Sequence, residues 1–219
     1  MTALLFLLLA ADWQSLFDGA STKGWVEVTG KPIQATSWRV EDGCLRTVVS
    51  PGGAQDIRTV ESFRSFDLEF DWKVLAGGNS GVKYLIQHID EWNNALGRQA
   101  RARGFEYQIA DNHGTDAVQP ERSAGSLYSA IAPSPKTDPA LGEFQHSRIV
   151  LKGDHVEHWL NGVRIVSFVL SDPPAQKVFA SLRKKGEDAS TPIQRETPIS
   201  LQNHGTEVWF KNIRIRRLD

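Results

Sequence analysis

Phe66-Asp67-Leu68-Glu69-Phe70-Asp71-Trp72-Lys73-Val74 sets apolar and charged side chains in strict alternation. Successive side chains of an extended strand point to opposite faces. A period of two therefore predicts a strand that buries Phe66, Leu68, Phe70, Trp72 and Val74 and turns Asp67, Glu69, Asp71 and Lys73 toward water or a ligand. Phe105, Tyr107 and Ile109 alternate in the same way with Glu106, Gln108 and Ala110. Working outward, Asp42-Gly43 separates Trp38–Val40 from Cys44–Arg46, and Asn161-Gly162 separates Val156–Leu160 from Val163–Phe168. Both dipeptides accept the positive φ values of a type I′ turn, whose twist suits two paired strands. Near the C-terminus Val208 and Phe210 share one parity while Ile213 and Ile215 take the other, so a bulge near Lys211-Asn212 is expected to keep one face buried.

One helix is expected. Asp172 is a suitable N-cap, Pro173 fits the first helical position, and the segment runs to about Lys185 before Gly186. Residues 187 to 197 and the Gly-, Pro- and Ser-rich stretch from Asp111 to Phe144 read as loops. Short strands, turn signals and almost no helix predict an all-β, two-sheet antiparallel jelly-roll sandwich with one short helix.

Composition narrows the function. A chain of 219 residues with 40% apolar and 23% charged residues suits one soluble domain, here residues 12–219. A net charge of -1 lacks the basic excess that nucleic acid demands. Arg98, Arg101 and Arg103 cluster, but in a polar stretch expected to be a solvated loop. Cys44 is the single cysteine, which excludes an intrachain disulfide and a thiolate metal cluster, and it is expected to be a small buried hydrophobe. The apolar run Ala3–Ala11 is too short for a stable membrane span. Residues 1–11 are expected to be a signal peptide cleaved near Ala10 or Ala11, placing the protein in the periplasm or outside the cell, although no basic residue precedes the run.

Several segments, in order from about residue 13 to the end, resemble the 3-keto-disaccharide hydrolase family. These are Ser15-Leu16-Phe17-Asp18-Gly19 with Gly24-Trp25, Trp38 to Gly43, Gly78-Asn79-Ser80-Gly81, Phe105-Glu106-Tyr107-Gln108-Ile109 and Gly125-Ser126-Leu127-Tyr128. The strongest are Lys152 to Gly162 and Leu201-Gln202-Asn203-His204-Gly205, and Phe210 to Ile215 closes the pattern. Gly81-Val82-Lys83-Tyr84 is similar to members with lysine at that place. Phe144-Gln145 departs from the family's usual Trp-Asn, and Asn112 to Asp116 replaces a longer His- and Asp-bearing turn. The resemblance implies a concanavalin A-like lectin/glucanase sandwich acting on glycosides already oxidised at sugar carbon 3.

A 3-keto group acidifies the hydrogen on carbon 2. A base that removes it leaves an enolate, which expels the glycosidic oxygen, and water addition gives net hydrolysis; stopping earlier makes the enzyme a lyase. Such a site needs a general base, a group facing the developing oxyanion and an acid near the leaving oxygen. Glu106 and Gln108 project together from one strand face, and Gln202 and His204 do the same if their segment is extended. A solvated strand charge is the ordinary reading of Glu106; the resemblance makes it a base or metal ligand. It also implies His158 and His204 as acid/base or ligand residues, suited by imidazole's pKa. Parity alone leaves open whether His158, with Val156 and Leu160, or instead His155, Glu157 and Trp159, faces the sugar.

Lys83 is expected at the keto oxygen or its enolate, Asn79, Gln108 and Gln202 at sugar hydroxyls, and Tyr128 joins this substrate-binding set. A divalent metal on Asp111, His113, His204 and Glu106 is a further expectation, without any local signature such as H-E-x-x-H. The partner is thus a small carbohydrate. A non-catalytic carbohydrate-binding module and an adhesion sandwich are the rival readings, since a fold hosts many functions.

Overall fold

The Phe66–Val74 alternation becomes a strand at the middle of one of two antiparallel sheets. The structure is a computed structural model that describes residues 12–49, 54–94, 97–113 and 119–218. The expected signal segment lies outside the described residues. In chain order the strands are β1 (Gln14–Ser15), β2 (Trp25–Glu27), β3 (Trp38–Glu41), β4 (Cys44–Thr47), β5 (Ile57–Thr59), β6 (Phe66–Val74), β7 (Asn79–Asn94) and β8 (Gly97–Ala110). They continue with β9 (Gln145–Lys152), β10 (His155–Leu160), β11 (Val163–Val169), the helix α1 (Pro173–Leu182), β12 (Ser200–Leu201) and β13 (Val208–Arg217).

The larger sheet runs β11-β10-β9-β6-β13-β4-β3, with β1 paired to β13; the smaller runs β2-β5-β12-β7-β8. Phe66, Leu68, Phe70, Trp72 and Val74 are all buried against the opposing sheet, where Val82, Tyr84, Phe105, Tyr107 and Ile109 point inward. Phe70 meets Tyr107 edge-on with ring centroids 5.6 Å apart. Each such side chain contributes about 1.5–3 kcal/mol by leaving water. Asp67 is the one outward residue of β6 that is not open to water. Burial alone would raise its carboxyl, but Arg148 and Arg216 grip both oxygens and hold it below the ordinary aspartate range.

The turns follow the local chemistry. Asp42 and Gly43 have φ of 51° and 71°, and Asn161 and Gly162 have 49° and 81°, as a type I′ turn requires. Between Lys211 and Arg214 the β13–β6 register slips, with Asn212 at φ 52°, and Ile213 and Ile215 return to the core. Helix α1 ends at Leu182 rather than about Lys185, because Arg183 is already extended. Asp172 precedes it without capping it: its side chain accepts from the Val169 amide at 2.9 Å instead.

Two further expectations are overturned. Arg98, Arg101 and Arg103 are not in a loop but on β8, where β7 and β8 run on as a two-stranded arm whose buried Ala100 and Ala102 pack with Ile86 and Val28 and alternate with the arginines. Arg98 pairs with Glu91 and Arg103 with Asp90 across that arm. His158 is 0% exposed and lies between the sheets. Its Nδ1 must carry the proton, because it is 2.9 Å from the Gly125 carbonyl, which can only accept; Nε2 then accepts from the Tyr84 hydroxyl at 2.8 Å. Satisfied on both nitrogens and cut off from the surface, His158 leaves the set of candidate catalytic residues. No helix among the described residues is long and apolar enough to cross a membrane.

Candidate active site

The face of the smaller sheet that turns away from the core lines a cleft of about 530 Å³. Pairing and alternation place its floor. Lys83 is opposite both Glu106 on β8 and Ser200 on β12, so these share a face, and the Val82–Tyr107 pair faces the core. Asn79, Lys83, Glu106 and Gln108 line the cleft, joined by Gln202 and His204 from the chain leaving β12. Tyr128 and Ser129 form one wall, with Lys177 and Ser181 of α1 beside them. Seven of the eight sequence-derived site residues thus meet in one hollow. His158 does not.

Glu106 is 14% exposed at its side chain and Lys83 5%, with Lys83 Nζ 3.8 Å from Glu106 Oε2 and 3.1 Å from Asp56 Oδ2. Removal from water pushes the Glu106 carboxyl above the ordinary glutamate range; Lys83 pulls it back and the Asp56 charge adds to the rise. The amide nitrogen of Gln108, oriented to match its neighbours, donates to Glu106 Oε1 at 3.2 Å and to the Ser80 carbonyl at 3.3 Å. The Gln202 side-chain oxygen is buried without a partner among the described residues, an acceptor free to take a hydrogen bond from a ligand. Loss of water around His204, and then the nearby Arg101 guanidinium, hold its imidazole below the ordinary histidine range, so it is neutral at pH 7.

Asp56 was not found from the sequence. It is 0% exposed and accepts from Lys83 Nζ, from the Ala102 amide at 3.2 Å and from the Asn203 amide at 3.1 Å, tying β8 and the His204 turn to the lysine. Asn203 completes that turn: its side chain accepts from the Gly205 amide and donates to the Ser37 carbonyl, both at 2.9 Å. An acid between a loop and a short strand carries no local signal of such contacts. Arg101, Arg103, Lys177 and Ser181 also line the cleft unforeseen.

The four expected metal ligands do not come together. Glu106 and His204 line the cleft, whereas Asp111 and His113 do not. Asp111 closes a turn by accepting from the Gly77 amide at 2.9 Å and the His113 amide at 2.8 Å. Among the described residues no three His, Cys, Asp or Glu side chains form a metal-holding group, and no catalytic step is assigned to a metal.

Gly81 sits beneath Glu106. A Cβ there would lie 2.7 Å from Glu106 Cγ and 2.8 Å from its Cδ, so the Glu106 side chain must shift from its place. Gly81→Ala is expected to cut kcat by roughly 100-fold, the cost of misplacing a reacting group by about 1 Å. Turnover measured beside the thermal midpoint checks it, since a near-native midpoint with lost turnover marks displacement of Glu106 rather than unfolding.

A family model described as the 3-keto-alpha-glucoside-1,2-lyase-like domain matches residues 12–216. The chain belongs to this family. A family relative from Bacteroides thetaiotaomicron, the 3-keto-disaccharide hydrolase, is 30% identical over an alignment of 237 positions that covers 96% of this chain and 80% of the relative. A Parabacteroides distasonis crystal structure, of a protein described as a candidate glycosyl hydrolase, superimposes with a TM-score of 0.75 at 29% identity, covering 94% of each chain. The fold is also similar to that of SCLam, a non-specific endo-β-1,3(4)-glucanase, with a TM-score of 0.53 at 13% identity over 96% of this chain and 94% of the other, which speaks for the jelly-roll sandwich alone. One of the two strongest family-like segments, Leu201 to Gly205, carries Gln202 and His204 to the cleft.

Proposed function

We propose that this 3-keto-alpha-glucoside-1,2-lyase-like chain is an enzyme that cleaves 3-keto-glycosides by proton abstraction at carbon 2, elimination of the glycosidic oxygen, and hydration. The observation that carries the reading is that Glu106 is the only carboxylate among the described residues that line the cleft. Ordinary glycoside hydrolysis uses two carboxyl groups flanking the bond. Elimination from a 3-keto sugar needs one base and a positive group for the enolate, and the Glu106–Lys83 pair supplies both.

Glu106 takes the proton from carbon 2, and the C–H electrons form the enolate facing the Lys83 ammonium. The enolate re-forms the ketone as the bond from carbon 1 to the glycosidic oxygen breaks, giving an enone and an alcohol whose oxygen takes up the proton that Glu106 removed. Water then adds to carbon 1 and a proton returns to carbon 2. Neutral His204 serves at the leaving oxygen and at the incoming water. Asn79, Gln108, Gln202 and Tyr128 hold the sugar hydroxyls and ring. The Ala3–Ala11 run supports export from the cytoplasm, so the mature protein is expected to begin near Asp12 when sequenced from its N-terminus.

Turnover of a 3-keto-disaccharide in heavy water tests the chemistry. Deuterium at carbon 2 of the released 3-keto sugar, above that of the same product incubated without enzyme, is expected. Cleavage without that label would mean direct displacement, and binding without cleavage would mean a carbohydrate-binding module.

A further inference from the structure

The cleft carries more positive charge than the elimination uses. Lys83, Arg101, Arg103 and Lys177 line it against the single carboxylate of Glu106, although the whole chain has a net charge of -1. Lys83 is accounted for by Asp56 and Glu106. Arg103 shares Asp90 at 3.2 Å, a pair exposed enough for water to screen. Arg101 has no ion pair among the described residues; its guanidinium stands 5.4 Å from the Trp92 ring, and its Nε is buried with no hydrogen-bond partner there. It nevertheless lines the cleft together with Glu106 and His204. A planar guanidinium fixed on a strand and left without an anion matches carboxylate, sulfate or phosphate oxygens, which it binds through paired N–H donors. Lys177, exposed on α1 at the same cleft, adds a second positive charge.

We infer that the saccharide taken by this cleft carries an anionic group, a carboxylate or a sulfate or phosphate ester, held by Arg101 with Lys177. The inference rests on the carbohydrate reading above and narrows its substrate class to acidic saccharides and glycosides.

The test compares calorimetric affinities for lactobionate against lactose, and for glucose 6-phosphate against glucose, which needs no turnover and so is independent of the elimination chemistry. A charge-assisted contact is expected to favour at least one anion over its neutral partner by roughly tenfold. That preference is expected to fall to about one in Arg101→Gln and to shrink in high salt. The favoured pair then says whether carboxylate or phosphate is the better fit. Equal affinities within both pairs, no anion binding at millimolar concentration, or a preference surviving in Arg101→Gln would each overturn the inference. Cleavage of neutral 3-keto-disaccharides, measured separately, leaves the elimination reading standing in any of those cases.

Discussion

Glu106→Gln is expected to lower kcat on a 3-keto-glycoside by 100- to 10,000-fold, the range by which a positioned base accelerates proton transfer. Glutamine keeps the shape and the contact with Gln108 but cannot accept the carbon 2 proton. Its effect on stability has the opposite sign. The Glu106 carboxyl is raised by burial, so its ionised form costs the folded state free energy as pH climbs through the raised value, and the neutral amide removes that cost. The variant is therefore expected to unfold at or above the wild-type temperature while losing turnover. Wild-type kcat/KM is expected to fall with decreasing pH along a limb set above the ordinary glutamate range, because the base must be ionised. Turnover of Glu106→Gln within about threefold of wild type would remove Glu106 from the role of base.

The second large effect concerns stability in acid. Burial holds the His158 imidazole down at about 4 from an ordinary 6.5, against the opposing pull of the Gly125 carbonyl. The unfolded chain takes up this proton first as pH falls. The stabilisation is thus complete above pH 6.5 and is lost progressively between 6.5 and about 4, amounting to about 3 kcal/mol for a shift of this size. Glu106 works the other way, since its raised carboxyl favours the folded state in acid, so the wild-type curve alone would understate the histidine. The difference between wild type and His158→Gln isolates it. Urea midpoints of the variant are expected to fall less steeply across that window, with turnover of the folded variant retained at neutral pH. Parallel midpoint curves would show that His158 is not held neutral by its burial between Tyr84 and Gly125.

The same histidine shows how far the linear order could be read. Its parity with Val156 and Leu160 and the inward apolar contacts of those neighbours put His158 in the core, whereas the family resemblance had pointed to a catalytic role. Parity decides that two residues share a face but not whether that face is the sandwich interior, and for β10, polar and apolar on both parities, the alternation was undecided. On β8 the pattern was clean, and Glu106 and Gln108 emerged on the cleft side as expected. The strand that carries Arg101 and Arg103 is faint in the sequence because the buried residues alternating with them, Ala100 and Ala102, are small and only weakly apolar.

Periodicity, turn chemistry and one slip of parity were enough to establish β6, the Phe105–Ala110 part of β8, the two type I′ hairpins, the bulge at Lys211-Asn212 and the start of α1, because each depends on residues within a few positions of one another. Order along the chain also carried the family resemblance that brought seven site residues forward. The burial of His158, the Asp56 carboxylate behind Lys83, the separation of Asp111 and His113 from the cleft, and the uncompensated charge of Arg101 came from contacts between residues distant in sequence. A hydrogen bond from Lys83 to Asp56, or from Tyr84 to His158, exists only once the strands carrying them are aligned in register and the two sheets close on each other. That closure is a cooperative outcome of the whole core, with no counterpart in any short stretch of residues.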